Sequence, residues 1–343
     1  MLNNPYVDFF AAPKSYWRCE PGEPGGEMAP TVGVNRRKLW LDECDNRTHL
    51  TVGDIINGAA TAEGTYTVHL RELCKNISHG SGLWYMDLGR GWFNDQGIMN
   101  NIKKVTAFSE KAQRLPHRSV AEVLLVADEE SLIHSTPNII PAIESSIRNI
   151  QLCGAPIDIV FKEDLAHIDL KEIKLAVFLH TVKMGNCEFN SLKKLFPDSC
   201  KFLTLSKTGF DNGIKYTYNK QGNIPDFTLS GKIKSVLCES EDKKPIVCET
   251  DDGDFAVGKL PLSVEVARKI EELCGINFYA PCECAVYADS RLVSFFPRKD
   301  MSFTFDAGSC NRLLEFGEDK PTNSSEITLD LKAKTGKAFI ILS

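Results

Sequence analysis

Three clusters of polar and aromatic residues stand where a parallel α/β sheet would place chemistry. They are Ala12-Pro13-Lys14-Ser15-Tyr16-Trp17-Arg18, Glu43-Cys44-Asp45-Asn46-Arg47-Thr48-His49 and Trp84-Tyr85-Met86-Asp87. Each extends or follows a short strand-like run, 7–10, 38–43 and 82–87, and in parallel α/β folds the carboxyl ends of strands build the active site. A carboxylate at a strand end beside a tyrosine, an arginine and a tryptophan suits the cleavage of a sugar. The carboxylate attacks the anomeric carbon, and the indole packs against the C–H face of the ring. A plainer reading makes Glu43, Asp45 and Arg47 a solvated ion-pair network on a loop and buries Trp84 in the core. Spacing alone leaves both open.

Other chemistry has little support. There is no P-loop, H-E-x-x-H, G-x-S-x-G or C-x-x-C, and Gly89-Arg90-Gly91-Trp92-Phe93-Asn94 lacks the third glycine of a dinucleotide fingerprint. The twelve cysteines are scattered; the one close pair, Cys282 and Cys284, has no second pair or histidines at zinc spacing. No cofactor and no metal are therefore expected. A net charge of −6 argues against a nucleic-acid partner. No apolar run approaches membrane-spanning length, and the first residues lack the features of a signal peptide, so the chain reads as cytoplasmic.

The elements that must position these clusters alternate. In residues 1–114 three strands are interleaved with helical stretches, one with Tyr66, Leu70, Leu73, Cys74 and Ile77 at helical spacing behind a Thr61 cap, the other over 98–112. Such alternation implies a parallel sheet, and three strands cannot close a barrel. A second alternation fills 115–274: strands at 123–127, 157–161, 175–179 and 201–205, with helices over 141–152, 188–195 and 263–274. This reads as a flavodoxin-like α/β unit. Its first strand leads into Asp128-Glu129-Glu130, which would repel phosphate and favours a structural role. Residues 275–343 hold only short strands, a small antiparallel β-domain near the lower size limit for folding alone.

The segments "PYVDFFAAPKSY", "KLWLDECDNRTHL" and "GLWYMDLGRGWF" resemble, in order and spacing, the last three barrel strands of family 42 glycoside hydrolases, the β-galactosidase-like enzymes of clan A. "RSVAEVLLVADEES" is similar to the opening of that family's trimerisation domain, and "LPLSVEVARKIEELCGINFY" to the junction into its C-terminal β-domain. The resemblance implies the end of a TIM barrel followed by these two domains, and a homotrimer. It implies that Glu43 is the catalytic nucleophile, Tyr16 the tyrosine that hydrogen-bonds it and Trp84 the platform under the sugar. Arg18, Asp45, Arg47 and Asp87 are implied pocket residues. The implied substrate is a β-galactoside or related sugar, cleaved with retention.

One departure is large. Retaining hydrolysis needs a second carboxyl group roughly 5–5.5 Å from the first to protonate the leaving oxygen. The family supplies it from its fourth strand, for which this sequence has no counterpart. The resemblance therefore implies a C-terminal portion, inactive alone. The alternative is a non-catalytic assembly module in which the three strands only pack.

Overall fold

The computed structural model describes residues 3–13, 19–26, 31–35, 37–51, 58–88, 91–134, 139–181, 183–205, 233–308 and 312–342. The chain divides into two compact units. One comprises Met1–Val120, Gln151–Pro156 and Phe278–Ser343; the other Ala121–Ile150 and Ile157–Asn277.

In the first unit, strands β1 (Phe9–Pro13), β2 (Leu39–Cys44) and β3 (Gly82–Tyr85) form a parallel sheet in the order β1-β2-β3. Helix α1 (Thr31–Asn35) joins β1 to β2, and α2 (Ala62–His79) joins β2 to β3. Helix α3 (Gln96–Gln113) follows β3. Thr61 caps α2 as its sequence suggests: its Oγ1 accepts the Gly64 amide at 3.0 Å, and Gly80 ends the helix at φ 71°.

Helix α2 is buried along nearly its whole length, because it is covered on several sides. It packs against β3 and α3, and also against β11 (Cys284–Ala288) and β12 (Leu292–Pro297) of the C-terminal region. That region forms a four-stranded antiparallel sheet in the order β11-β12-β16-β14, where β14 is Arg312–Glu315 and β16 is Lys337–Leu342. A ribbon of β13 (Met301–Asp306) with β15 (Glu326–Leu331) accompanies it. Phe295, Phe305, Leu313, Leu329 and Phe339 fill the core of this β-region. The short segment 151–156 belongs to the same unit because the Cys153 backbone forms an isolated parallel β-bridge with that of Cys284 and Gly154 O accepts the Tyr279 and Ala280 amides.

The second unit is built on a seven-stranded sheet in the order β5-β4-β6-β7-β10-β9-β8. The strands β4 (Val123–Ala127), β5 (Ile157–Phe161), β6 (Leu175–Phe178), β7 (Lys201–Leu205) and β10 (Phe255–Val257) run parallel. The hairpin of β8 (Ile233–Glu239) and β9 (Pro245–Thr250) extends it antiparallel. The helices are α4 (Glu129–His134), α5 (Ile140–Gln151), α6 (Asn186–Lys193) and α7 (Val264–Leu273). Beyond the ends of β4 and β5, Lys162 Nζ lies 3.0 Å from Asp128 Oδ1 and 2.8 Å from Glu188 Oε1, so that Asp128 of the acidic turn is ion-paired. No described helix is long and apolar enough to cross a membrane.

Candidate active site

Strand register decides which side chains of the three-stranded sheet share a face. Pro13, Glu43 and Trp84 are register neighbours across β1, β2 and β3, one layer beyond Ala11, Leu41 and Gly82. Side chains alternate along a strand, so Glu43 and Trp84 project from one face near its carboxyl end. The alternation has a clear cause in β2. Trp40, Asp42 and Cys44 are buried on the helix side, while Leu39, Leu41 and Glu43 are more open. The face carrying Glu43 is unusually apolar for an exposed one: Phe9 is 53% exposed, Leu39 48% and Trp84 37%. Trp84 is thus not a core residue, as the plainer reading had it.

The loop after β2 is held from below. Asp45, Asn46 and Thr48 are buried. Cys44 Sγ donates to Asn46 Oδ1 at 3.0 Å, and Thr48 Oγ1 donates to the Trp92 carbonyl. The Arg47 guanidinium lies over the Trp92 ring, 5.3 Å from its centroid. The Arg47 amide donates to Cys19 Sγ at 3.4 Å. Asp87 is exposed, two residues beyond the end of β3. Of the expected site residues, the sheet therefore brings Glu43 and Trp84 together and leaves Asp45 and Arg47 on the adjoining loop. Tyr16 and Arg18 lie outside the described residues.

Behind β3, on the helix side, sits a group that the sequence did not reveal. The buried ring of His69 stacks on Phe93 (centroids 5.8 Å apart) and meets Tyr85 edge-on at 5.4 Å. Burial lowers the His69 pKa to about 4 and raises that of Tyr85 well above its ordinary value. His69 is therefore a neutral, apolar-packed ring. Its only signal in the sequence is its place on the α2 face three residues after Tyr66 and one before Leu70, where a histidine cannot be told from a surface one. Among the described residues, no group of three His, Cys, Asp or Glu side chains could hold a metal ion.

No protein-family model matches the sequence, and neither does any curated protein. Solved structures do. Gan42B, a family 42 β-galactosidase from G. stearothermophilus, superposes with a TM-score of 0.58 at 11% identity, over 98% of this chain and 59% of its own. The fold is similar to part of that enzyme's. The β-galactosidase of Rahnella sp. R3 gives a TM-score of 0.56 at 9% identity, over 97% of this chain and 63% of its own. That of Halorubrum lacusprofundi gives 0.53 at 11% identity, with the same two coverages of 97% and 63%. The similarity in fold thus extends over nearly all of this chain, while the chain spans about three fifths of the enzymes it matches.

Proposed function

We propose that the chain is the C-terminal portion of a retaining β-glycosidase of the β-galactosidase type, carrying the nucleophile but not the general acid. The observation that carries this reading is the pairing of Glu43 with Trp84 in register, at the carboxyl end of adjacent parallel strands in a fold similar to that of family 42 enzymes. In the proposed reaction a Glu43 oxygen attacks the anomeric carbon and displaces the aglycone, which takes its proton from a carboxylic acid outside these strands. Water then releases the sugar with its configuration retained. Trp84 supplies the ring-stacking surface. Tyr16 is assigned the hydrogen bond that holds Glu43 ionised, and Arg18, Asp45, Arg47 and Asp87 the rim of the sugar pocket.

On this reading residues 1–114 are the last three strand–helix units of a TIM barrel, 115–274 a flavodoxin-like trimerisation domain and 275–343 the C-terminal β-domain. The parallel order of β4 to β7 and β10, which is 2-1-3-4-5 in chain order, supports the second assignment. Exposure of Phe9, Leu39 and Trp84 on one sheet face supports the first, since a closed barrel would cover them. The test is a kinetic one. Purified chain should not hydrolyse aryl β-galactosides, for want of the acid. Turnover well above background that disappears on Glu43→Gln would show that the chain holds its own acid and would refute the partial-site reading.

A further inference from the structure

The segment Cys19-Glu20-Pro21-Gly22-Glu23-Pro24-Gly25-Gly26, between β1 and α1, is a loop by composition yet largely buried in the fold. Buried loops need partners for their backbone polar groups. Arg71 supplies two of them, and Arg298 holds the loop by the Glu23 side chain. From α2, the fully buried Arg71 donates through Nη1 to the Glu20 carbonyl at 2.6 Å and the Glu23 carbonyl at 2.8 Å. From the end of β12, Arg298 Nη2 donates to Glu23 Oε2 at 3.1 Å while its Nη1 donates to Glu283 Oε2 at 2.9 Å. Lys75 adds a hydrogen bond to the Gly26 carbonyl.

Two glycines make this clamp possible. At Gly22, φ is +83° and a Cβ would come within 2.9 Å of the Pro297 carbonyl; at Gly25 a Cβ would lie 2.6 Å from Glu72 Oε1. The first position needs a residue without a side chain both for its backbone angle and for the approach of the β12 end. At its head the loop places Cys19 Sγ as acceptor of the Arg47 amide, four residues beyond Glu43 on the loop that follows β2.

We propose that Arg298, a residue of the C-terminal β-region, is a positioning residue for the candidate active site. It grips Glu23, fixes the loop 19–26 against α2 and, through Cys19, holds the Arg47 backbone behind the carboxyl end of β2. The inference that this positioning serves sugar cleavage rests on the function proposed above; the clamp itself does not. It gives the β-region a part in the chemistry beyond packing.

The experiment reads local opening in the full chain. Cys19 is 1% exposed and Cys284 fully buried, so alkylation by iodoacetamide, resolved peptide by peptide, reports the loop and the β-region separately. Arg298→Ala and Gly22→Ala should each raise the Cys19 rate by about tenfold or more, as a local opening does. Hydrogen exchange at the Arg47 amide should speed up as well. Cys284 labelling should rise by no more than the accompanying fall in global stability accounts for, and Arg298→Lys should recover part of the protection. Unchanged Cys19 labelling and Arg47 exchange in both alanine variants would overturn the proposal, as would a parallel rise at Cys284, which would make Arg298 a general stabiliser. Glu43→Gln should leave all of these readouts untouched, so that failure of the glycosidase reading is distinguishable from failure of the clamp.

Discussion

Glu43 and His69 sit on opposite faces of the same three-stranded sheet and obey different physics. Glu43, the proposed nucleophile, lies on the open face in register with Trp84. His69 is sealed against Tyr85 and Phe93, and neither of its ring nitrogens has a hydrogen-bond partner among the described residues. Its pKa falls to about 4 in the fold against 6.5 unfolded. Between those values the unfolded chain binds a proton that the folded chain refuses, so stability must decrease as the pH falls from 6.5 and level off below 4. At pH 5 the loss from this one ring is about 2 kcal/mol. Urea unfolding at pH 7 and pH 5 should therefore show a pH dependence that His69→Phe reduces by about that amount. An identical slope in the variant would mean that the ring is protonated in the folded protein.

At the scale of elements, α2 is the member on which the first unit is assembled, and its buried charges are its weak point. Arg71 ties the loop 19–26 and pairs with Glu72 through Nη2 at 2.6 Å, both side chains out of contact with water. Arg71→Ala should cost about 3–5 kcal/mol, because it removes the ion pair of a buried carboxylate together with the donor to two carbonyls. Loss of the helix cap in Thr61→Ala should cost only about 1 kcal/mol. Equilibrium denaturation distinguishes the two; equal effects would contradict the assigned role of Arg71. Much of this element level was legible beforehand. The apolar runs at 123–127, 157–161 and 201–205 are strands with those same ends. The Thr61 cap also stands where its sequence put it.

What was not legible has physical causes. The fifth parallel strand, β10, is only Phe255-Ala256-Val257, too short for any period to register. The hairpin β8–β9 is polar and bulged, so its alternation is broken. Val7 and Asp8 lie before β1, which instead runs on to Pro13. In the site, the register of Glu43 with Trp84 follows from the strand-end pattern, whereas the clamp on loop 19–26 joins residues some 50 and 275 positions apart, which no local pattern records.

For the whole molecule, the exposed face of the first sheet is the dominant feature. Both outer strands, β1 and β3, are paired on one side only among the described residues. With Phe9, Leu39 and Trp84 open beside those edges, the isolated chain should self-associate. Light scattering at micromolar concentration should show a trimer or larger species, and Phe9→Lys combined with Leu39→Lys should reduce the larger ones. A clean monomer would argue against both the trimer assignment and the open barrel face. The most direct test of the central claim uses a chimera in which the amino-terminal barrel portion of Gan42B precedes this chain. Hydrolysis of an aryl β-galactoside, followed by NMR, should release the β-anomer first. Glu43→Ala should lower kcat by about a thousandfold or more, and added azide should restore aglycone release while forming the α-galactosyl azide. Retaining hydrolysis at a near-normal rate in the Glu43→Ala chimera would contradict the assignment of Glu43 as nucleophile.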